Sequence, residues 1–121
     1  MDGLTYTLKV EGTEEVTFQL AVRNCDDQPR KLIFLTSQEF DFEVVHNGQP
    51  VWRWSQGRVF SQMIMEKTLA AEEVIGPYST VWTGVNNKGI PNEPGNYEVR
   101  AYFLGNGSKE PVAATNFRFQ K

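Results

Sequence analysis

The residue types that carry most enzyme chemistry are scarce in this chain. Among 121 residues there is one histidine, His46, and one cysteine, Cys25. A Ser–His–Asp or Cys–His arrangement needs an imidazole beside the nucleophile and a third group to orient it. His46 precedes Asn47-Gly48, a position that places it at the end of a surface strand, with no second histidine to complete a metal or catalytic set. Cys25 lies in a polar turn beside Asp26 and Asp27, acidic neighbours that oppose the thiolate a nucleophile needs. The adjacent acids Glu14-Glu15, Asp26-Asp27 and Glu72-Glu73 point to opposite sides of an extended chain, and none follows the alternating-oxygen pattern of a calcium loop. The fold could assemble a glycosidase-like acid pair from Asp41, Glu43 or others, but nothing in the sequence singles one out. There is no glycine-rich phosphate loop. The chain is therefore expected to be no enzyme, and to use neither metal nor other cofactor.

Charge and composition narrow the partners. Twelve Lys and Arg stand against fifteen Asp and Glu, a formal charge of −3, and the pI is about 5.2. That balance lacks the basic footprint of a nucleic-acid binder or of a protein held on anionic lipid. No apolar run approaches the roughly 20 residues of a membrane-spanning helix, so no nucleic acid and no membrane are expected as partners. Met1-Asp2-Gly3-Leu4-Thr5 has no basic stretch of the kind that opens a signal peptide, and one cysteine forms no internal disulfide. A cytoplasmic protein is the expectation. The chain is 40% hydrophobic and 12% aromatic, enough to build a packed core in one domain spanning 1–121.

The elements that must position any site repeat with a period of two. Leu4, Tyr6, Leu8 and Val10, then Val16, Phe18, Leu20 and Val22, alternate with polar or small residues, as strands buried on one face do. Phe40, Phe42 and Val44 continue the alternation, as do Tyr78, Thr80 and Trp82, then Tyr97, Val99, Ala101 and Phe103, and finally Phe117 and Phe119. Leu32 to Leu35 reads as a short strand covered on both faces. Asn47-Gly48 supplies the two positive-φ positions of a type I′ turn and predicts a hairpin joining 40–46 to 50–54. Gly76-Pro77 is expected to open a strand, and Gly105-Asn106-Gly107-Ser108 to close one. About eight short strands with turn signals every 8–12 residues or so predict an all-β antiparallel sandwich.

Two connections stand out. In 56–65 the apolar residues Val59, Phe60, Met63 and Ile64 fit one or two helical turns as well as an irregular loop. The stretch 84–95 holds three Gly and two Pro and is long for a hairpin connection. A third, polar loop at Ser37-Gln38-Glu39 flanks either. Trp52 and Trp54 share one strand face with Arg53 opposite; they and Trp82 are read as packing.

With these landmarks in place the chain resembles the Bacillus intracellular proteinase inhibitor family. The resemblance rests on Phe18…Val22-x-Asn24, Phe34-x-x-Ser37-Gln38-x-Phe40-Asp41-Phe42-x-Val44, Gly48 and Val51-Trp52-Arg53-Trp54-Ser55. It continues through Phe60-Ser61-Gln62, Trp82 and Pro94-Gly95-x-Tyr97-x-Val99, covering about 14 to 104. It implies an immunoglobulin-like sandwich that inhibits an intracellular subtilisin-type serine protease, and it assigns no inhibitory loop. Clefts of that protease type favour an apolar residue before the scissile bond and another apolar or aromatic residue three places earlier. Phe60-Ser61-Gln62-Met63 with Ile64 following fits that order, so Phe60, Gln62, Met63, Ile64 and Met65 are candidate protease contacts, with Asn87, Lys88 and Ile90 a second set. The competing reading of Phe60 and Met63 is that they cap the sandwich from inside. For the whole chain, the competing reading is a protein-binding module with no protease target, docking through the same loops or an exposed edge strand.

Overall fold

A computed structural model describes residues 3–120. In chain order the strands are β1 (Leu4–Glu11), β2 (Val16–Asn24), β3 (Arg30–Phe34), β4 (Phe40–His46), β5 (Gln49–Arg53), β6 (Met65–Leu69), β7 (Val74–Trp82), β8 (Gly95–Phe103) and β9 (Pro111–Phe119). A single 3₁₀ turn at Gly105–Gly107 lies between β8 and β9. The alternating stretches form two antiparallel sheets, β1-β2-β7 and β5-β4-β8-β9, and β3 pairs with β6 as a third, two-stranded ribbon. Aromatic rings close the space between the larger sheets. Phe18 of β2 meets Phe42 of β4 and Phe117 of β9, with centroids 5.8 and 5.4 Å apart. Trp82 of β7 lies against Tyr97 and Phe119 at 5.4 and 5.1 Å.

The Pro94-Gly95-x-Tyr97 stretch acquires its meaning here. Tyr97 is buried at the start of β8, and its hydroxyl donates back to the Glu93 carbonyl. This is the tyrosine corner of immunoglobulin-like sandwiches, which pins the connection entering the strand. The fold class is thus the all-β antiparallel sandwich the alternation predicts.

Three local readings change. The described residues form nine strands where about eight are expected, because β6 forms without alternating hydrophobicity: Met65 to Thr68 are all exposed and only Leu69 is buried. Its pairing with β3, from Arg30↔Leu69 to Phe34↔Met65, holds it in place. β3 is covered on one face only; Leu32 and Phe34 are buried while Ile33, and Leu35 just beyond the strand's end, are exposed. Gly76-Pro77 lies inside β7 rather than opening it. There the register against β2 shifts between Leu20 and Val22, and this bulge in an edge strand accommodates a residue with no N–H to donate. Of the two paths open to 56–65 the irregular loop is the one taken: the chain turns over 54–57 and reaches β6 without a helix. The predicted hairpin does form, with φ of 51° at Asn47 and 77° at Gly48.

Candidate functional site

The two most distinctive stretches of the sequence meet at one carboxylate. Asp41, on β4, is 2% exposed and accepts Arg53 Nε at 2.8 Å, Ser55 N at 3.1 Å and its neighbour Phe42 N at 2.9 Å. The Ser55 hydroxyl and Gln38 Nε2 also donate to it. Glu43, two residues along the same face of β4, lies 3.5 Å from Arg53 Nη1 and accepts the Tyr102 hydroxyl at 2.9 Å. The guanidinium rests over the Tyr102 ring, 4.5 Å from its centroid. Burial pulls the Arg53 pKa down, but the hydrogen bond and charge of Asp41, with Tyr102 and Glu43 behind it, outweigh that and hold it above its ordinary value. Burial, then the bond to Glu43, raises the Tyr102 phenol. Two acids do converge here, yet both are engaged by one arginine and Asp41 is filled with donors. The arrangement forms a structural clamp across β4, β5 and the turn after it.

The clamp carries the 54–65 connection. The Trp54 ring stacks on Phe40 with centroids 4.3 Å apart and meets Phe60 at 5.9 Å. The Arg58 guanidinium lies over the Trp54 ring, 4.2 Å from its centroid, and Arg58 Nε donates to the Trp54 carbonyl at 2.9 Å. Farther along, the neighbouring 35–39 loop holds the segment twice. Ser37 N donates to the Ser61 carbonyl and Ser61 N donates to Ser37 Oγ, both at 2.9 Å. Met63 N then donates to Ser61 Oγ. Between and beyond these ties the apolar side chains point outward: Val59 is 96% exposed, Met63 66% and Ile64 69%. Met65 opens β6 and is also exposed, as is Gln62. Phe60 is half-buried against Trp54. Of the two residues suspected of capping the sandwich from inside, neither enters the buried core.

The second loop is equally ordered. Asn86 N donates to the Ile90 carbonyl, and Asn86 Oδ1 accepts from Lys88 N and Ile90 N at 2.9 and 3.0 Å. Asn87 fastens this loop to β5: its Oδ1 accepts Arg53 N at 2.8 Å and its Nδ2 donates to the Arg53 carbonyl at 2.9 Å. The side-chain amide thus pairs with the backbone of the edge strand as another strand would. Asn87, Lys88 and Ile90 border a hollow of about 480 Å³ whose other walls include Trp52, Arg53 and Gln56. Phe60, Gln62, Met63, Ile64 and Met65 do not border it. The structure therefore gathers the candidates into two groups, one fastened to Arg53 at the end of β5 and the other following the 54–57 turn.

The remaining candidates have packing explanations. His46 Nδ1 lies 3.0 Å from the Asn96 carbonyl and its ring lies against Tyr97. Cys25 is exposed, 3.2 Å from the Thr5 hydroxyl. Trp82 is buried, while Trp52 and Trp54 are half-buried against the edge of the core. No cluster of three metal-ligating side chains occurs among the described residues, and none of their helices is long and apolar enough to cross a membrane. Sequence reasoning did not anticipate the outward Ile33 and Leu35 or the Asp41–Arg53–Ser55 clamp.

Comparison with known proteins separates fold from family. No curated protein matches the chain. Among solved structures, the alkylpurine DNA glycosylase AlkC of Pseudomonas fluorescens, bound to DNA containing an abasic site analog, superimposes with a TM-score of 0.57 at 14% identity. All of this chain is covered but only 31% of the glycosylase chain, so the likeness is one of fold alone. Residues 4–108, spanning the clamp, the 54–65 segment and the tyrosine corner, match the BsuPI family, described as intracellular proteinase inhibitor. The chain belongs to that family.

Proposed function

We propose that this protein reversibly blocks a cytoplasmic subtilisin-type serine protease by laying the 59–65 segment into the substrate cleft. The observation that carries the reading is the combination of outward apolar side chains at Val59, Met63 and Ile64 with backbone ties at Ser61 and ring packing at Trp54. A segment already held in shape loses little entropy on binding, and its main chain can pair with a cleft built to receive a strand. Met63 fills the pocket before the scissile position, Phe60 lies three places earlier, and Gln62, Ile64 and Met65 flank them. Asn87, Lys88 and Ile90 form a secondary contact, carried on a loop fastened to Arg53, just before the 54–57 turn that leads into the segment.

The test is steady-state inhibition of an intracellular subtilisin with the wild-type chain and with Met63→Asp. A charge in an apolar pocket removes a central anchor, and the inhibition constant rises by about 30-fold or more. Mass spectrometry of the mixture shows one slow cut within 59–65. An unchanged constant moves the primary contact elsewhere. No inhibition at all by the wild type makes the chain an immunoglobulin-like interaction module of another kind.

A further inference from the structure

We infer that Met63 is an oxidation site through which a peroxide switches protease inhibition off, an inference resting on the reading of 59–65 as the primary contact. The chain has three methionines, and two of them, Met63 and Met65, lie in that segment. A thioether needs only access to the oxidant to react. Met63 is 66% exposed, Met65 is exposed as well, and neither belongs to the apolar core or to the side chains packed against it. The backbone of Met63 is also fixed in place. Its N–H donates to Ser61 Oγ, and Ser61 is tied to Ser37 by two further bonds. The ties that shape the segment for binding thus keep this sulfur at the surface of the free chain.

The reaction needs a peroxide and nothing else. A sulfur lone pair attacks one peroxide oxygen and the O–O bond breaks. Hydrogen peroxide leaves as water, or an alkyl hydroperoxide as its alcohol. Sulfur is oxidised by two electrons to the sulfoxide while the peroxide is reduced by two. The product is uncharged, but its oxygen is an acceptor on a side chain that was apolar. At the surface of the free chain water satisfies that oxygen, so the fold is unaffected. In an apolar pocket it loses water and meets no donor, and the penalty falls on the complex alone. Met65 flanks the pocket position rather than filling it, so its sulfoxide costs less. The remaining sulfur, the exposed Cys25, lies just after β2 and outside the segment. A thiol reductant reverses its first oxidised forms, whereas a methionine sulfoxide needs its own reductases.

The purified chain is treated with graded hydrogen peroxide, cleared with catalase and reduced with dithiothreitol before an intracellular subtilisin is added. Peptide mass mapping gives the sulfoxide fraction at each methionine. The untreated wild type is expected to inhibit, and full oxidation of Met63 to raise the inhibition constant about tenfold or more with the melting temperature unchanged. The loss follows the Met63 sulfoxide fraction and is reversed by the two epimer-specific methionine sulfoxide reductases. Each variant is compared with its own untreated constant: Met63→Leu shows no peroxide effect, and Met65→Leu still shows it. A constant within twofold of the untreated value at full Met63 oxidation overturns the switch and leaves the loop reading intact. A peroxide effect that persists in Met63→Leu also overturns it and gives the sensitivity to another residue, as does a Met63 that resists doses converting free methionine. Failure of the untreated wild type to inhibit overturns the loop reading and the switch together, whatever the peptide map shows.

Discussion

Asp41 and Arg53, twelve residues apart on neighbouring strands, meet at 2.8 Å with the carboxylate buried and the guanidinium half-exposed. The contact joins the loop before β4 to the turn after β5, because the same carboxylate also holds Gln38 and Ser55. Gln38 belongs to the loop whose Ser37 pins Ser61. Ser55 begins the turn that leads to Arg58 and Phe60. One buried acid thereby fixes both ends of the support beneath the exposed 59–65 segment.

Removing that acid is expected to cost both stability and function. Asp41→Ala leaves Arg53 with the more distant Glu43 and strips acceptors from Ser55 and Phe42, a loss of about 3 kcal/mol on the scale of broken buried pairs. Arg53→Ala removes a more exposed partner but leaves the buried carboxylate with its remaining donors, and costs less, about 1–2 kcal/mol. Urea unfolding distinguishes the two: the midpoint moves further for Asp41→Ala, with the slope unchanged. Equal midpoints for both variants would show that the pair acts only as a surface contact.

Ser37→Ala tests the stiffness of the segment rather than its chemistry. The variant loses the acceptor for Ser61 N and keeps the donor bond from its own backbone to the Ser61 carbonyl. Global stability falls by no more than about 1 kcal/mol, since the bond is exposed. The inhibition constant for a subtilisin-type protease rises by about 3- to 10-fold, mostly through faster dissociation, because the loop is then ordered during binding. Ser37→Thr keeps the hydroxyl and restores the wild-type constant. A constant unaffected by Ser37→Ala assigns the stiffness to Trp54 and Arg58 instead.

How far this architecture is legible before any coordinates depends on whether the signal is local. Val16, Phe18, Leu20 and Val22 announce β2 because one face is buried, and Asn47-Gly48 announces its turn because few residue pairs accept two positive φ angles. β6 announces nothing, since Glu66, Lys67 and Thr68 are solvated and the strand exists through its pairing with β3. Leu32-Ile33-Phe34-Leu35 misleads for the opposite reason: four apolar letters carry no mark of which two face out. The clamp of Asp41, Arg53 and Ser55 and the docking of Asn87 on Arg53, 34 residues away, are products of tertiary pairing. The path of 59–65 is likewise fixed by Ser37 and Trp54, while its own spacing suited a helical turn as well as an irregular loop.

Tyr78 gives the fold a defined alkaline limit. Its hydroxyl donates to Glu39 Oε1 at 2.7 Å, and its ring stacks on Phe40 with centroids 4.6 Å apart. Burial first, then the hydrogen bond and charge of Glu39, raise its pKa far above the ordinary 10.0 of tyrosine. Tyr97 and Tyr102 are raised too, chiefly by burial. In the unfolded chain these phenols release their protons near pH 10, whereas the folded chain retains them. Above that pH the unfolded state binds fewer protons, so stability falls as pH rises; below it the contribution is fully present. Unfolding free energy is therefore expected to be insensitive to these groups up to about pH 10 and to decline beyond it. In Tyr78→Phe the decline is shallower, by up to one proton. Phenolate absorbance in the wild type shows at least one of the four tyrosines silent until the chain unfolds. If the decline in Tyr78→Phe matches the wild type, Glu39 and the burial of Tyr78 do not hold its proton, and the contact between the 35–39 loop and β7 is looser than the 2.7 Å bond describes.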